Sequence, residues 1–265
     1  MKGRLSMSKF STTKSSPFTG SQIESCLKDC RSLEEAAQKC IDTIYEEFKE
    51  SLVLLRMFVS VSYSELPRFN QKFVTNLAEE KGIVLELKNE TPILCLIGTR
   101  GEEPEWNEWR KSKGHIGIPL VSTEFIETIP MVSRLLSDLG LNLNWINNPD
   151  SGLDMDVSGN NIAGIFFVED AKESTDSKKR KIIPMQDFVK THNVCTVFGI
   201  GGRYMLGRKN IVTVIFFTKE KFSKATTHQF VSLINLFKIS TMKFVSQNRI
   251  FSDERDIGNN YNAFK

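Results

Sequence analysis

Residues 188–241 read FVKTHNVCTVFGIGGRYMLGRKNIVTVIFFTKEKFSKATTHQFVSLINLFKIST. Apolar and β-branched residues fill positions 194–200 and 211–217, a pattern that predicts two strands. The glycines at 201–202 predict a turn between them, because glycine adopts positive φ without strain. From residue 224 to 244 the apolar residues recur with a period of 3.6, which predicts a long closing helix. Its apolar stripe consists of Phe230, Leu233, Ile234, Phe237 and Met242.

The N-terminal half shows the same kinds of signal. Ser32 and Glu35 form a capping-box pattern, in which a hydroxyl and a carboxylate satisfy the first amides of a helix. The apolar residues that follow predict a helix over 33–48. A second helix is predicted over 67–80, with Phe69, Phe73 and Leu77 on its apolar face and a stop at Gly82. Strands are predicted over 52–61, 83–87 and 92–97.

Beyond residue 98, predicted helices and strands are separated by longer polar segments. A helix is predicted over 122–140, a strand over 162–168 and a short helix over 184–191. Residues 147–161 are rich in Asn, Asp, Ser and Gly and predict an exposed loop. Helices and strands do not alternate regularly, and the last two strands are joined by a short turn. The sequence therefore predicts an α+β fold with a mostly antiparallel sheet.

The domain organisation is predicted to be simple. The polar, non-periodic residues 1–31 predict a flexible arm, and residues 247–265 predict a polar tail. No internal repeat and no long Pro/Gly linker divides the chain between them. The sequence therefore predicts a single domain over residues 32–246, with an insertion around 98–161.

The succession of elements in residues 188–241 resembles the C-terminal half of a GAF domain. In that family a short helix leads to a strand, a turn, a strand ending near a Phe/Lys-Glu segment, and a long helix, here after Phe222-Ser223. The resemblance extends over residues 33–246. It implies a GAF-like α+β fold, with the N- and C-terminal helices packed on one face of a central sheet. It also implies a sensory or regulatory role and a homodimer that pairs through the first and last helices.

The ligands known for this family are not implied. The Asn-Lys…Phe…Asp-Glu signature of the members that bind cyclic nucleotides cannot be placed in this chain. The Cys-His dipeptide of the members that bind bilins is absent. No cofactor is therefore indicated.

Composition excludes several classes of protein. The 265 residues carry 35 Lys+Arg and 32 Asp+Glu, a formal net charge of +3, which gives no support for nucleic-acid binding. No apolar run reaches the roughly 18 residues of a membrane span. Five cysteines are too few for a disulfide scaffold, and neither they nor the three histidines show metal-ligand spacing. These features, with no secretory signal, predict a cytoplasmic protein.

The segment 98–117 is the most unusual part of the chain, because two tryptophans stand among arginines and a histidine. Indole rings in a loop need a packing surface and a partner for the N–H group, and guanidinium groups bind carboxylates or phosphates. We therefore predict a small-molecule site in one concavity between the sheet and the 122–140 helix, opposite the helix pair. The predicted ligand-binding residues are Arg100, Trp106, Trp109, Arg110 and His115. The alternative is an ordered loop whose rings cap the sheet and whose charges are solvated.

No catalytic constellation is apparent. The glycines around 199–202 lie between two strands instead of opening a helix, and no Walker lysine follows them, which argues against a phosphate loop. The sequence thus favours a non-catalytic sensory or regulatory domain that binds a small ligand, for which the arginines favour an anion, or a signalling protein in trans. The alternatives are an enzyme for a small polar substrate with His115 as general base, and a scaffold protein.

Overall fold

The computed structural model describes residues 9–13, 19–112, 114–141, 146, 163–204 and 210–252. Strands of these residues form one antiparallel sheet in the spatial order β3-β2-β1-β6-β5-β4. The strands are β1 (Leu52–Ser62), β2 (Pro92–Gly101), β3 (Gly117–Pro119), β4 (Gly164–Val168), β5 (Val197–Arg203) and β6 (Ile211–Thr218). The helices are α1 (Gly20–Leu27), α2 (Leu33–Glu47), α3 (Arg68–Glu80), α4 (Thr123–Glu127), α5 (Pro130–Asp138), α6 (Gln186–Thr191), α7 (Lys224–Thr227) and α8 (Val231–Ser246). No helix among the described residues is long and apolar enough to cross a membrane.

The sheet is covered on both faces. On one face, which we call the helix-pair face, side chains of α1, α2 and α8 form a core with Leu55, Met57 and Val59 of β1. On the other face, which we call the loop face, Leu54 and Phe58 of β1 pack with side chains of α4, α5 and α6 and of the connecting segments. The prediction that the first long helix and the closing helix share one face is confirmed.

Helix α2 begins as the capping-box pattern predicts, with one difference. The Ser32 hydroxyl accepts a hydrogen bond from the Glu35 amide at 3.1 Å. The Glu35 carboxylate, however, accepts from the Arg31 amide at 2.8 Å and not from that of Ser32. Gly98 then allows α2 to approach β2, since an added Cβ would lie 3.1 Å from the carbonyl carbon of Ala37.

The predicted flexible arm contains a helix. In α1 the Thr19 hydroxyl accepts from the Gln22 amide, and the Gln22 side chain accepts from the Thr19 amide. Ile23 and Leu27 bury their side chains in the helix-pair core. The prediction is therefore wrong for residues 19–31, because the capping box at Thr19 and the two apolar positions one turn apart were sufficient to form and dock a helix.

Two further predictions fail between β1 and β2. Residues 83–87 do not form a strand: Val84–Glu86 is a 3₁₀ turn, and Leu85 is 95% exposed. Helix α3 forms as predicted but turns a different face inward, so that Asn70, Val74 and Ala78 are its buried residues. The short apolar run at 83–87 and the aromatic stripe of α3 led to wrong predictions, because a local pattern does not show which part of the fold will pack against it.

The second half of the chain also departs from prediction at three points. The helix predicted over 122–140 is two helices, α4 and α5, because Pro130 cannot continue α4 and instead begins α5. The glycines at 201–202 lie in β5, paired with β6 through Thr213 and Val212, and not in the turn. The closing helix is divided into α7, the 3₁₀ turn His228–Phe230, and α8. The predicted loop over 147–161 lies outside the described residues.

Candidate functional site

Residues 102–112 and 114–116 run along the edge of the sheet. Strand β3 pairs only with the first part of β2, from Ile93 to Cys95. The remaining edge of β2 is met by the segment itself, in which Pro104–Asn107 and Trp109–Lys111 form 3₁₀ turns. The Gly101 amide donates to the Asn107 side chain at 2.9 Å. The segment is therefore fixed where it leaves β2.

A buried carboxylate from the start of α2 holds the middle of this segment. Glu34 Oε1 accepts from the indole Nε1 of Trp109 at 3.0 Å and from Nη2 of Arg110 at 2.8 Å. The guanidinium of Arg110 also lies over the Trp109 ring, 4.2 Å from its centroid. Only 8% of the Glu34 side chain is exposed, so this is an ion pair largely removed from water. We call Glu34, Trp109 and Arg110 the carboxylate clamp.

The clamp also fixes the end of the described chain. Glu34 Oε2 accepts from the amide of Ser252 at 3.0 Å. The amide of Glu34 donates to the carbonyl of Ile250 at 2.8 Å. One side chain therefore joins the start of α2, the edge segment and the residues that follow α8.

Arg100 lies on the helix-pair face. The β1–β2 register shifts between Met57 and Phe58, and past this irregularity Arg100 pairs with Leu55, which faces α2. Its guanidinium lies 3.9 Å from the carboxylate of Asp42 and 3.7 Å from that of Glu46, both on α2. This placement contradicts the expectation that Arg100 shares a concavity opposite the helix pair.

Trp106 packs at a third position. Its ring meets Phe188 at 5.5 Å and His192 at 4.8 Å between centroids, both in edge-on geometry. The five predicted residues thus fall into separate groups: Arg100 beside α2, Trp106 beside α6, Trp109 and Arg110 in the carboxylate clamp, and His115 beside Arg56. One polar, aromatic segment suggested a common pocket, but it spans a sheet edge and can reach both faces.

Arg56 is the unexpected residue of the loop face. It lies in the centre of β1, paired with Thr99 on one side and Ile215 on the other. Its Nε atom is buried and has no hydrogen-bond partner in the described part of the chain, and neither does the buried hydroxyl of Thr99. Burial lowers the pKa of Arg56 to about 10, so the side chain is still charged at pH 7. We call Arg56, Thr99 and His115 the arginine site.

His115 shares the environment of Arg56. Burial and, secondly, the positive charge of Arg56 lower the pKa of His115 to about 4. The imidazole is therefore neutral at pH 7, with one nitrogen able to donate and the other able to accept. A buried cation, a neutral imidazole and an unpartnered hydroxyl together provide hydrogen-bond donors for an anion.

Arg56, Thr99 and Glu34 were missed by sequence reasoning. Arg56 interrupts the apolar run 52–61, and a lone arginine within a buried strand is a usable signal. Glu34 gave no such signal, because acidic residues are common in the first turn of any helix. No cluster of three or more His, Cys, Asp or Glu side chains suited to a metal occurs among the residues that the structure describes.

No family model matches the chain, and no curated protein matches it. Among solved structures, the GAF domain from Acinetobacter phosphoenolpyruvate-protein phosphotransferase is similar, with 13% sequence identity and a TM-score of 0.39. The similarity covers 84% of this chain and 90% of that one. The predicted α+β fold with a mostly antiparallel sheet is confirmed by the strand order and the strand pairing.

The carboxylate clamp predicts the effect of removing its acceptor. Glu34→Ala leaves the indole N–H, a guanidinium and an amide without their partner, so we expect a loss of about 2–3 kcal/mol in the free energy of unfolding. Urea unfolding measures this loss, and a red shift of tryptophan emission reports exposure of Trp109. The matched control is Glu108→Ala, which removes a partly exposed carboxylate that lies 3.8 Å from the Arg110 guanidinium and accepts from the Arg110 amide at 3.3 Å. This variant should cost about 1 kcal/mol or less. Equal effects of the two variants would contradict this account.

The low pKa of His115 predicts a specific pH dependence of stability. Between pH 7 and pH 5 the unfolded chain protonates this histidine, with its ordinary pKa of about 6.5, while the folded protein does not. Protonation of His115 in the unfolded chain therefore lowers the free energy of unfolding by about 2 kcal/mol as the pH drops from 7 to 5, and has little effect above pH 7. Urea unfolding at both pH values should show this loss in the wild type and its absence in His115→Gln. His228→Gln, at an exposed histidine, should behave as the wild type.

Proposed function

We propose that this chain is a non-catalytic sensory or regulatory domain of GAF-like fold that binds a small anionic ligand at the arginine site. The observation that carries the proposal is the guanidinium of Arg56, which belongs to a partly buried side chain and whose Nε atom is buried without a hydrogen-bond partner in the described part of the chain. Among the described residues, no carboxylate lies within 4.0 Å of it, and its lowered pKa has burial as its only cause. Transfer of an unpaired charge from water into a protein core is costly. A bound carboxylate or phosphate would remove that cost and bind tightly for the same reason.

The neighbours of Arg56 suit such a ligand. The Thr99 hydroxyl adds a donor on the same face of the sheet, since cross-strand partners share a face. The neutral imidazole of His115 adds another donor without a second buried charge. Of the five residues predicted from the sequence, we assign only His115 to direct ligand contact. Trp109 and Arg110 have their polar groups engaged by Glu34, and we assign them to positioning the segment that carries His115.

The lowered pKa of His115 bears on the alternative of an enzyme. A general base works best when its pKa lies near the operating pH. At a pKa of about 4, His115 is a weak base at pH 7. This favours binding over catalysis at the arginine site.

The signal from such a module would pass to a partner protein in trans. We propose a cytoplasmic location, because all five cysteines are free thiols.

Arg56→Met tests the proposal with two opposite effects. Native mass spectrometry of freshly purified wild type should show a retained small anion, and the variant should lose it. In ligand-free protein the same change removes an uncompensated buried charge, so we expect the free energy of unfolding to rise by about 1–3 kcal/mol. Chemical denaturation of both proteins measures this gain.

The control for this test is Arg100→Met, which removes an arginine that has acidic partners on the helix-pair face. It should retain the ligand and should not stabilise the protein. The proposal is contradicted if wild type carries no small molecule, its thermal midpoint does not respond to added phosphate or citrate, and Arg56→Met brings no gain in stability.

We also propose that the module is a homodimer paired through its first long helix, α2, and its last helix, α8. Ile239 on the outer side of α8 is 69% exposed, and Leu236 one turn before it is half-buried. Light scattering at tens of micromolar protein, a concentration suited to ordinary affinities, should give twice the 30.2 kDa chain mass. Ile239→Glu should give the monomer mass, whereas Met185→Glu, at an exposed apolar residue before α6, should leave the dimer intact. A monomeric wild type would contradict the proposal.

A further inference from the structure

A phenylalanine near the start of the chain occupies a pocket made of other phenylalanines. Phe10 is fully buried, and its ring stacks on Phe48 with 4.3 Å between centroids and 11° between planes. Phe198 and Phe216 meet it edge-on at 5.6 and 5.9 Å. Phe222 and Phe230 close the pocket at 5.8 and 5.3 Å. We call these five surrounding residues the phenylalanine box.

The box is held together without Phe10. Phe198 and Phe216 stack on each other at 4.3 Å, and Phe230 contacts Phe48 and Phe198 at 5.6 and 5.7 Å. These rings come from the end of α2, from β5 and β6, and from the turn before α8. Phe222 lies in the loop after β6, and its ring packs edge-on against Phe198 at 5.7 Å. Withdrawal of Phe10 would therefore leave a formed cavity of the size of one ring.

A carboxylate at the mouth of the box binds the backbone beside Phe10. Glu220 accepts from the amide of Phe10 at 3.0 Å and from that of Ser11 at 3.2 Å, and the Ser11 hydroxyl donates to it as well. Burial alone would raise the pKa of Glu220, but hydrogen bonds from Ser11, Ser51 and these two amides lower it below its ordinary value. The acceptor is therefore an ionised carboxylate at pH 7. A pocket for one ring beside an acceptor for two successive amides combines a side-chain contact with main-chain hydrogen bonds, as peptide-binding sites do.

The other hydrogen bonds of residues 9–13 are internal. The amides of Thr12 and Thr13 donate to the carbonyl of Lys9, and so do both threonine hydroxyls. Lys9, Ser11 and Thr12 are exposed. Within this described segment, attachment to the domain thus consists of one ring in the box and one carboxylate on the backbone. A short peptide bound as a separate molecule would be attached in the same way.

We propose that the phenylalanine box with Glu220 is a recognition site for a phenylalanine-bearing peptide turn, and that Phe10 occupies it as a tethered, displaceable ligand. The contacts define the specificity of the site. The peptide must supply an aromatic ring that fills the box, and the amides of that residue and of the next residue must be free to donate to Glu220. A tethered segment acts at an effective concentration in the millimolar range. A peptide in solution therefore competes only when it binds more tightly or when Phe10 is absent.

Hydrogen exchange of the wild type tests whether the segment leaves the box without unfolding of the domain. The amides of Phe10 and Ser11 should exchange at least about tenfold faster than those of Val214 and Ile215 in β6, because local opening is less costly than global unfolding. Equal protection at the two places would mean that Phe10 is an ordinary core residue, and it would overturn the proposal. This measurement needs no variant.

Peptide binding tests recognition directly. In Phe10→Ala, a labelled peptide with the sequence of residues 9–13, KFSTT, should bind by fluorescence anisotropy and raise the thermal midpoint. The peptide KASTT should do neither. Wild type should bind KFSTT at least about tenfold more weakly, because its own segment competes. Phe69→Ala, at a half-exposed ring on α3, should match the wild type. A folded Phe10→Ala that fails to bind KFSTT overturns the proposal, and if this variant does not fold, the exchange measurement decides.

Discussion

Burial of the sheet on both faces is the constraint from which the other features of this protein follow. Of the eleven residues of β1, all but Arg56 and Ser62 are fully buried. In such a strand every side chain needs an apolar neighbour or a hydrogen-bond partner, whichever face it occupies. The Nε atom of Arg56 is buried and has no hydrogen-bond partner in the described structure, so the fold leaves this side chain unsatisfied. A structural exception of this kind is better evidence for a site than the composition of a loop.

The amino-acid sequence predicted those parts of the fold that depend on local periodicity. Helix α2, strands β1 and β6, and the shared face of α2 and α8 follow from residues that repeat every 3.6 positions or form continuous apolar runs. Leu85 shows the limit of such reasoning: three apolar residues in a row suggest a strand, but no neighbouring strand is available to pair with them. Pro130 and Thr19, by contrast, carried local signals for a helix break and a helix start that the prediction did not use.

The candidate site was predictable only in part, because its geometry depends on register. A shift of one residue in strand pairing moves a side chain to the opposite face of a sheet. The irregularity between Met57 and Phe58 is such a shift, and it places Arg100 beside α2 while Thr99 faces the arginine site. Glu34 likewise meets Trp109 only after the chain has folded, since 75 residues separate them. Neither relation has a signature in the sequence.

The strand order has a consequence for biosynthesis. The central pair of the sheet joins β1 to β6, and the amide of Ile211 donates to the hydroxyl of Ser60, 151 residues earlier in the chain. Glu34 can bind its partner Ser252 only later in synthesis, because Ser252 lies 218 residues further along the chain. While the ribosome is making the middle of the chain, β1 has only β2 as a neighbour, and its other edge is open. Such an intermediate is the state most exposed to wrong strand pairing. The two central strands of the sheet can therefore pair only after the last third of the chain has been made.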